Sequence, residues 1–320
     1  MLQLDAELVA RLLDRPALIE ALDAAFRAAI TVPSRHHHTL TEVSGRASTL
    51  LLMPAWDDSA YIGIKIATIM PENAARSLPA VQATYMLLDR LSGRPLAIMD
   101  GAEITARRTA AASALAARYL ARSEASHLLM VGTGVLAPHL IASHAAVRPL
   151  TRVSIWGRNG AKAEALAERL SETGSVNRDG EPIEFRAVFE LQDAVPDAHI
   201  ISCATLTEQP LICGDWLVAG QHLDLVGAFT PHMREADDVA IRRARVYVDT
   251  PTCITEAGEI CQPIADGVLD AAAIQGDLFS LASGAAPLRL NEGEITLFKS
   301  AGTAIEDLAA AQLAYERHQG

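Results

Sequence analysis

The chain has 320 residues, enough at roughly 150 per domain for two domains, and it can bury about three-quarters of its unfolded surface without a disulfide or metal staple. Half of the residues are hydrophobic and 4% aromatic, so the core is mainly Ala, Leu, Val and Ile, and disorder is excluded as a description of the whole. Lys and Arg number 27 against 39 Asp and Glu, a net charge of −12 without a basic run, which argues against a surface built to follow a nucleic-acid backbone.

Met1 to Pro16 carries Asp5, Glu7 and Asp14, which is not the pattern of a secretion leader. The longest apolar stretch, Leu128 to Val147, is interrupted by Gly132, Gly134, Pro138 and two histidines, so no membrane span is expected. Cys203, Cys213, Cys253 and Cys261 show neither zinc-site spacing nor disulfide density, and reduced thiols in a cytoplasm are the expectation.

Asp14-Arg15-Pro16 followed by Ile19, Leu22, Phe26 and Ile30 reads as a capped amphipathic helix. Ser48 to Pro54, Tyr61 to Ile69, Ala83 to Leu88 and Leu96 to Met99 then read as a meander of antiparallel strands, with a turn at Ser92-Gly93-Arg94-Pro95. Ile104 to Leu120 is an Ala-rich helix. Beyond it strands alternate with helices, the pattern of parallel βαβ units: strand Leu128 to Val131, helix Val135 to Val147, strand Arg152 to Trp156, helix Ala161 to Glu172. A polar loop is expected over Thr173 to Pro182. Further strands follow at Phe185 to Val188, His199 to Cys203, His222 to Val226 and Arg245 to Val248. The last helix, Gly302 to Arg317, is expected to return to the first domain after the parallel unit has ended.

Val131-Gly132-Thr133-Gly134-Val135-Leu136-Ala137 lies between a strand and a helix, the setting of a dinucleotide-binding turn. Gly132 permits the tight turn, Gly134 lets the backbone approach a pyrophosphate, and Ala137 keeps helix and strand close. An ordinary strand–helix turn would share the spacing. An NAD site usually has an acid at the end of the next strand. Here that strand ends Trp156-Gly157-Arg158-Asn159, and a guanidinium at Arg158 suits a 2′-phosphate, so NADP(H) is preferred with NAD(H) possible. A surface arginine at a strand end is the competing reading.

Ile104-Thr105-Ala106-Arg107-Arg108-Thr109-Ala110-Ala111, Val226-Gly227 at a strand end, and Phe298-Lys299-Ser300-Ala301-Gly302 around such a core resemble the ornithine cyclodeaminase/mu-crystallin family, over essentially the whole chain. The resemblance implies an α/β fold in which a Rossmann-type doubly wound parallel sheet is inserted in a discontinuous α+β domain that binds substrate and dimerises. The expected division is residues 1–120 plus 292–320 for that domain and 121–291 for the dinucleotide domain, in a homodimer.

The resemblance further implies that Arg35, Lys65 and Arg108 hold a substrate α-carboxylate, with Phe229 and Ala301 beside the substrate. It places Val135, Leu136, Arg158, Asn159, Thr205, Asp224 to Gly227 including Val226, and Ser300 around the nucleotide, with Gly132, Thr133 and Gly134 at the pyrophosphate. Lys65 also stands out on its own: it is the only charge in the apolar Tyr61 to Met70 run, so its ammonium must find a partner. The residues alone leave open a structural ion pair for Lys65, Arg35 and Arg108.

Cyclodeaminases of the family carry an acid just past the Val-Gly and a glutamate before the Met-Pro. This chain has Gly227-Ala228-Phe229-Thr230-Pro231 and Leu50-Leu51-Leu52-Met53-Pro54, so neither base for ornithine deamination is present. The pattern resembles the family's ketimine reductases, which reduce Δ1-pyrroline-2-carboxylate and Δ1-piperideine-2-carboxylate to proline and pipecolate. That chemistry asks the protein to orient a planar imine, with Lys65 the candidate catalytic residue for a proton. Ornithine cyclodeaminase, an alanine dehydrogenase and a carrier like mu-crystallin are the alternatives. His36-His37-His38 would alternate faces on a strand and carries no ligand spacing to an acid or thiol, and His139 and His144 form no metal motif. Glu256/Glu259, Glu292/Glu294 and Glu306/Asp307 read as solvated carboxylate pairs, the alternative for Glu306/Asp307 being a supporting role behind the site, since they follow Ser300 closely.

Overall fold

The computed structural model describes residues 1–40, 48–58, 60–70, 72–73, 78–79 and 81–320. In chain order the first elements are β1 (Leu2–Leu4), α1 (Ala6–Leu12), α2 (Arg15–Arg27), β2 (Ile30–Thr31), β3 (His36–Leu40), β4 (Ser48–Asp57), β5 (Tyr61–Ile69), β6 (Val81–Asp89), β7 (Pro95–Asp100) and α3 (Gly101–Leu120). Then come β8 (His127–Val131), α4 (Leu136–Val147), β9 (Arg152–Trp156), α5 (Gly160–Glu172), β10 (Glu184–Val188), α6 (Leu191–Ala194), β11 (Ile200–Cys203) and β12 (His222–Leu225). The chain closes with α7 (Asp238–Arg243), β13 (Arg245–Val248), α8 (Cys253–Glu256), α9 (Gly258–Ala265), β14 (Gly276–Asp277), α10 (Leu278–Ser283), β15 (Thr296–Lys299) and α11 (Ala304–Gln319).

These elements form two compact units, Met1–Arg108 with Thr303–Gly320, and Thr109–Gly302. Asp5 and Asp14 start α1 and α2 by accepting from the backbone N–H groups of Leu8 and Ala17, and Pro16 sits where its missing N–H costs nothing. The sheet of this first unit runs β1-β7-β6-β5-β4-β2, with β3 also on β4. The β4 to β7 meander is antiparallel, and only β1 joins parallel, along β7. One face packs against α11, which also lies on α2. Period-2 alternation puts Gly63, Lys65 and Ala67 of β5 on the buried face and leaves Ile66 41% exposed on the other. Met53, Lys65 and Tyr85 are cross-strand neighbours in one row. Gly63 is obligatory in this packing, because a Cβ there would lie 1.8 Å from the Tyr85 hydroxyl oxygen.

The second unit is an eight-stranded parallel sheet ordered β10-β9-β8-β11-β12-β15-β13-β14. Its strands read as continuous apolar runs because both faces are covered. Leu129 and Val131 of β8 join one core cluster, and Leu128 and Met130 the other. The chain leaves β8 towards β9 on one side and β11 towards β12 on the other, so the neighbouring strands β8 and β11 form a topological switch point.

Thr296–Lys299 corrects one expectation. The segment does not follow the parallel unit but lies inside it, as β15 between β12 and β13. Four residues are too few to show a period, and the strand's partners lie far back in the chain. The division falls at Arg108/Thr109 and Gly302/Thr303, not at 120/121 and 291/292, since α3 is shared between the units and β15 belongs to the second. Among the described residues no helix is long and apolar enough to cross a membrane.

Candidate functional site

In the first unit the alternation of β5 forces an ammonium into the layer between sheet and α11. The Lys65 Nζ lies 2.7 Å from the Asp307 Oδ2 and donates to the Thr105 Oγ1 at 3.4 Å. Arg108 is one turn beyond Thr105 on α3, so the two side chains share a face. Its Nε donates to the Asp307 Oδ1 at 2.9 Å and its Nη1 to the Glu306 Oε2. Glu306 and Asp307 occupy the first turn of α11, where the helix dipole favours anions, and both are fully buried. Among the described residues the result is a buried set of two cations and two carboxylates.

Burial pulls Lys65 down to about 8, Asp307 opposing and Arg108 reinforcing the shift. Burial would raise Asp307, but Lys65 and Arg108 outweigh it and hold the carboxyl below its ordinary range. Glu306 and Asp307 are therefore no solvated pair. Ala304 to Ala311 is buried on nearly every side, which leaves no amphipathic period to reveal the docking face. Arg35 stands half-buried ahead of β3. Leu51 of β4 is half-buried at the position of the missing glutamate. His36, His37 and His38 are exposed on β3, with the rings of His36 and His38 edge-on at 6.3 Å.

In the second unit the strand register aligns the carboxyl ends of β8, β9, β11, β12, β15 and β13. Val131 pairs with both Trp156 and Cys203, Cys203 with Leu225, Leu225 with Lys299, and Lys299 with Val248. One edge thus gathers Gly132 to Leu136, Gly157 to Asn159, Thr205, Val226, Gly227, Ser300 and Ala301. Gly132 has a φ of +126°, and a Cβ there would meet the Ala204 carbonyl oxygen at 2.7 Å. Gly134 faces open space, Val135 is 78% exposed, Leu136 is half-buried, and α4 begins without a side-chain cap. Its first-turn N–H groups are a ready anion site.

Gly132, Thr133, Trp156, Gly157, Arg158, Thr205 and Leu206 help line a cavity of about 310 Å³. Arg158 and Asn159 are exposed just past β9, and no carboxylate stands at that strand end. A glycine turn with no room for a side chain, an uncapped helix and an exposed guanidinium together fit a nicotinamide dinucleotide. Phe229 is half-buried a few residues beyond β12. Asp224 does not reach this edge: it is an interior strand residue, fully buried, accepting from the Ser202 Oγ at 2.6 Å and meeting the His144 Nε2 at 3.2 Å.

Sequence reasoning passed over the groups that hold the edge. The Asp249 Oδ2 accepts from the Ser300 Oγ and the Ala301 and Gly302 N–H groups, at 3.0, 2.7 and 2.6 Å. Glu235 accepts from the loops after β11 and β12. Glu259, read with Glu256 as solvated, is fully buried and receives the Glu235 and Ala236 N–H groups. Lys299, alone in the apolar β15, carried the same signal that singled out Lys65.

A family model described as ornithine cyclodeaminase/mu-crystallin family matches residues 1–320. A Δ1-pyrroline-2-carboxylate reductase of Paracoccus denitrificans is 40% identical over 286 residues, 87% of this chain and 88% of that protein. The ketimine reductase mu-crystallin of Rattus norvegicus is 32% identical over 280 residues, 87% of this chain and 83% of the relative. The structure of the Thermococcus litoralis Δ1-pyrroline-2-carboxylate reductase in complex with NADH and L-proline is similar with a TM-score of 0.92 at 33% identity, covering 100% of this chain and 98% of that one.

Asp307→Asn leaves Lys65 without its anion, and the expected loss is about 3–5 kcal/mol of stability, read from urea unfolding. Because the Asp307 carboxyl is held low, its contribution is present above the ordinary carboxylate range and is lost as pH falls through the depressed value. The deficit of the variant should therefore shrink in acid. A deficit independent of pH would contradict the ion-pair account.

Proposed function

Because the chain belongs to the ornithine cyclodeaminase/mu-crystallin family, we propose that it is an NAD(P)H-dependent reductase of cyclic ketimine 2-carboxylates, converting Δ1-pyrroline-2-carboxylate and Δ1-piperideine-2-carboxylate to L-proline and L-pipecolate. The observation that carries this reading is the buried Lys65–Arg108 pair in a chain that has Leu51 and Phe229 where cyclodeamination requires carboxylates. The 40% identical relative named for the same reduction supports it. The nucleotide supplies a hydride when bound. Gly132, Thr133, Gly134, Val135 and Leu136 receive its pyrophosphate, Arg158 and Asn159 its adenosine ribose, and Thr205, Val226, Gly227 and Ser300 the remainder.

In the first unit, Lys65, Arg108 and Arg35 bind the substrate carboxylate. Reduction of C=N consumes one hydride and one proton. Lys65, lowered to about 8 by burial, is the group that can hold that proton near neutral pH and release it to the ring nitrogen. We further propose a homodimer in the cytoplasm, formed over the sheet face that carries the exposed Ile66.

Lys65→Met should lower kcat by about 10²–10⁴ in NADPH oxidation with either ketimine. The wild-type rate should fall as pH rises through about 8, where Lys65 loses its proton. Normal turnover in the variant, or ammonia and proline from ornithine without net reduction, would sink the reductase reading. Arg158→Ala should raise the KM for NADPH by about tenfold or more while sparing NADH; equal losses for both would remove the 2′-phosphate role. Ile66→Arg should shift the sedimenting species from dimer to monomer.

A further inference from the structure

We infer that Glu235 is a positioning residue for the nicotinamide nucleotide: its carboxylate clamps together the two loops that follow neighbouring strands β11 and β12. This rests on the reading that these loops hold the nucleotide. The Glu235 Oε1 accepts from both the backbone N–H and the hydroxyl of Thr205, each at 2.7 Å. The Oε2 accepts from the Gly227 N–H at 2.8 Å and the Ala228 N–H at 3.3 Å. Four donors from two loops thus converge on one fully buried side chain.

The loops are drawn into contact. A Cβ on Gly227 would lie 2.1 Å from both the nitrogen and the carbonyl oxygen of Thr205, and 2.7 Å from the Glu235 Oε1. Glu235 is itself held from behind, its own N–H and that of Ala236 donating to the Glu259 Oε1. The Glu259 Oε2 faces the Lys299 Nζ at 3.4 Å, from β15 on the other side of β12. Burial and the neighbouring Glu259 raise Glu235, with Lys299 opposing.

Such a cluster is a poor source of stability, because the desolvation of three charges offsets their attraction. What only a carboxylate supplies is two acceptor atoms, each able to take a pair of donors. Glutamine has the same shape, but its amide nitrogen must face one of the two donor pairs and so releases one loop. The sequence hides this role: Glu235 lies beyond both loops, in no motif, and is brought back only by the fold.

The test is nucleotide affinity by quenching of tryptophan fluorescence, Trp156 lining the cavity, with the melting temperature measured in parallel. Glu235→Gln should weaken NADPH and NADH alike by about tenfold or more, the cost of leaving charged-acceptor hydrogen bonds unmade. The KM for the ketimine should change less than about twofold, which separates loop positioning from a damaged fold. Thr205→Val removes only the hydroxyl donor and should weaken both nucleotides severalfold even where Glu235→Gln does not fold. Lowered melting temperatures with unchanged nucleotide affinity would show a structural role alone and overturn the inference. Failure of the wild-type chain to bind either nucleotide would instead overturn the reading on which it rests, and the inference with it.

Discussion

An ammonium removed from water costs several kcal/mol even after the protein relaxes, and only an anion held at contact offsets that cost. Each unit of this chain meets that constraint on a strand whose other residues are uncharged. Lys65 projects from β5 to the first turn of α11, and Lys299 projects from β15 towards α9. In both cases the anion arrives from the amino-terminal turn of a helix, where its charge is favoured by the helix dipole as well as by the lysine. Replacing either lysine by an apolar residue would strand buried carboxylates, so the strand and the helix are tied to one another's chemistry.

The two clusters differ in how their charges add. Around Lys65 the described residues bring two cations against two carboxylates, side chains that can all change partners. Around Lys299 two carboxylates face one ammonium. The surplus is spread over N–H and O–H dipoles donated by backbone and Thr205. The first arrangement suits exchange with a solute. The second suits permanence, since backbone donors cannot leave.

Features written in contiguous residues were legible in the sequence. The glycine turn from Gly132 to Gly134, the period-2 strands of the meander and the caps at Asp14 and Pro16 are local patterns. Lys65 was legible because a lone charge in an apolar run requires a partner, but its partner was not, because Asp307 lies in an alanine helix buried almost all round. Glu235 and Glu259 were invisible for a related reason. Their donors belong to residues 205, 227 and 235, and no spacing rule joins an acid to loops that only strand order brings together. Strand β15 was misassigned because four residues carry no period; only register with β12 and β13 defines it.

The place of β15 bears on how the chain is made. It lies between β12 and β13, so the parallel sheet stays split into two parts until residues from Thr296 onward have left the ribosome. The layer over the meander waits longer still, because α11 follows β15 in the chain. Until both have emerged, the nascent chain carries open strand edges and an uncovered apolar face, the condition under which non-local sheets fold slowly and are exposed to aggregation.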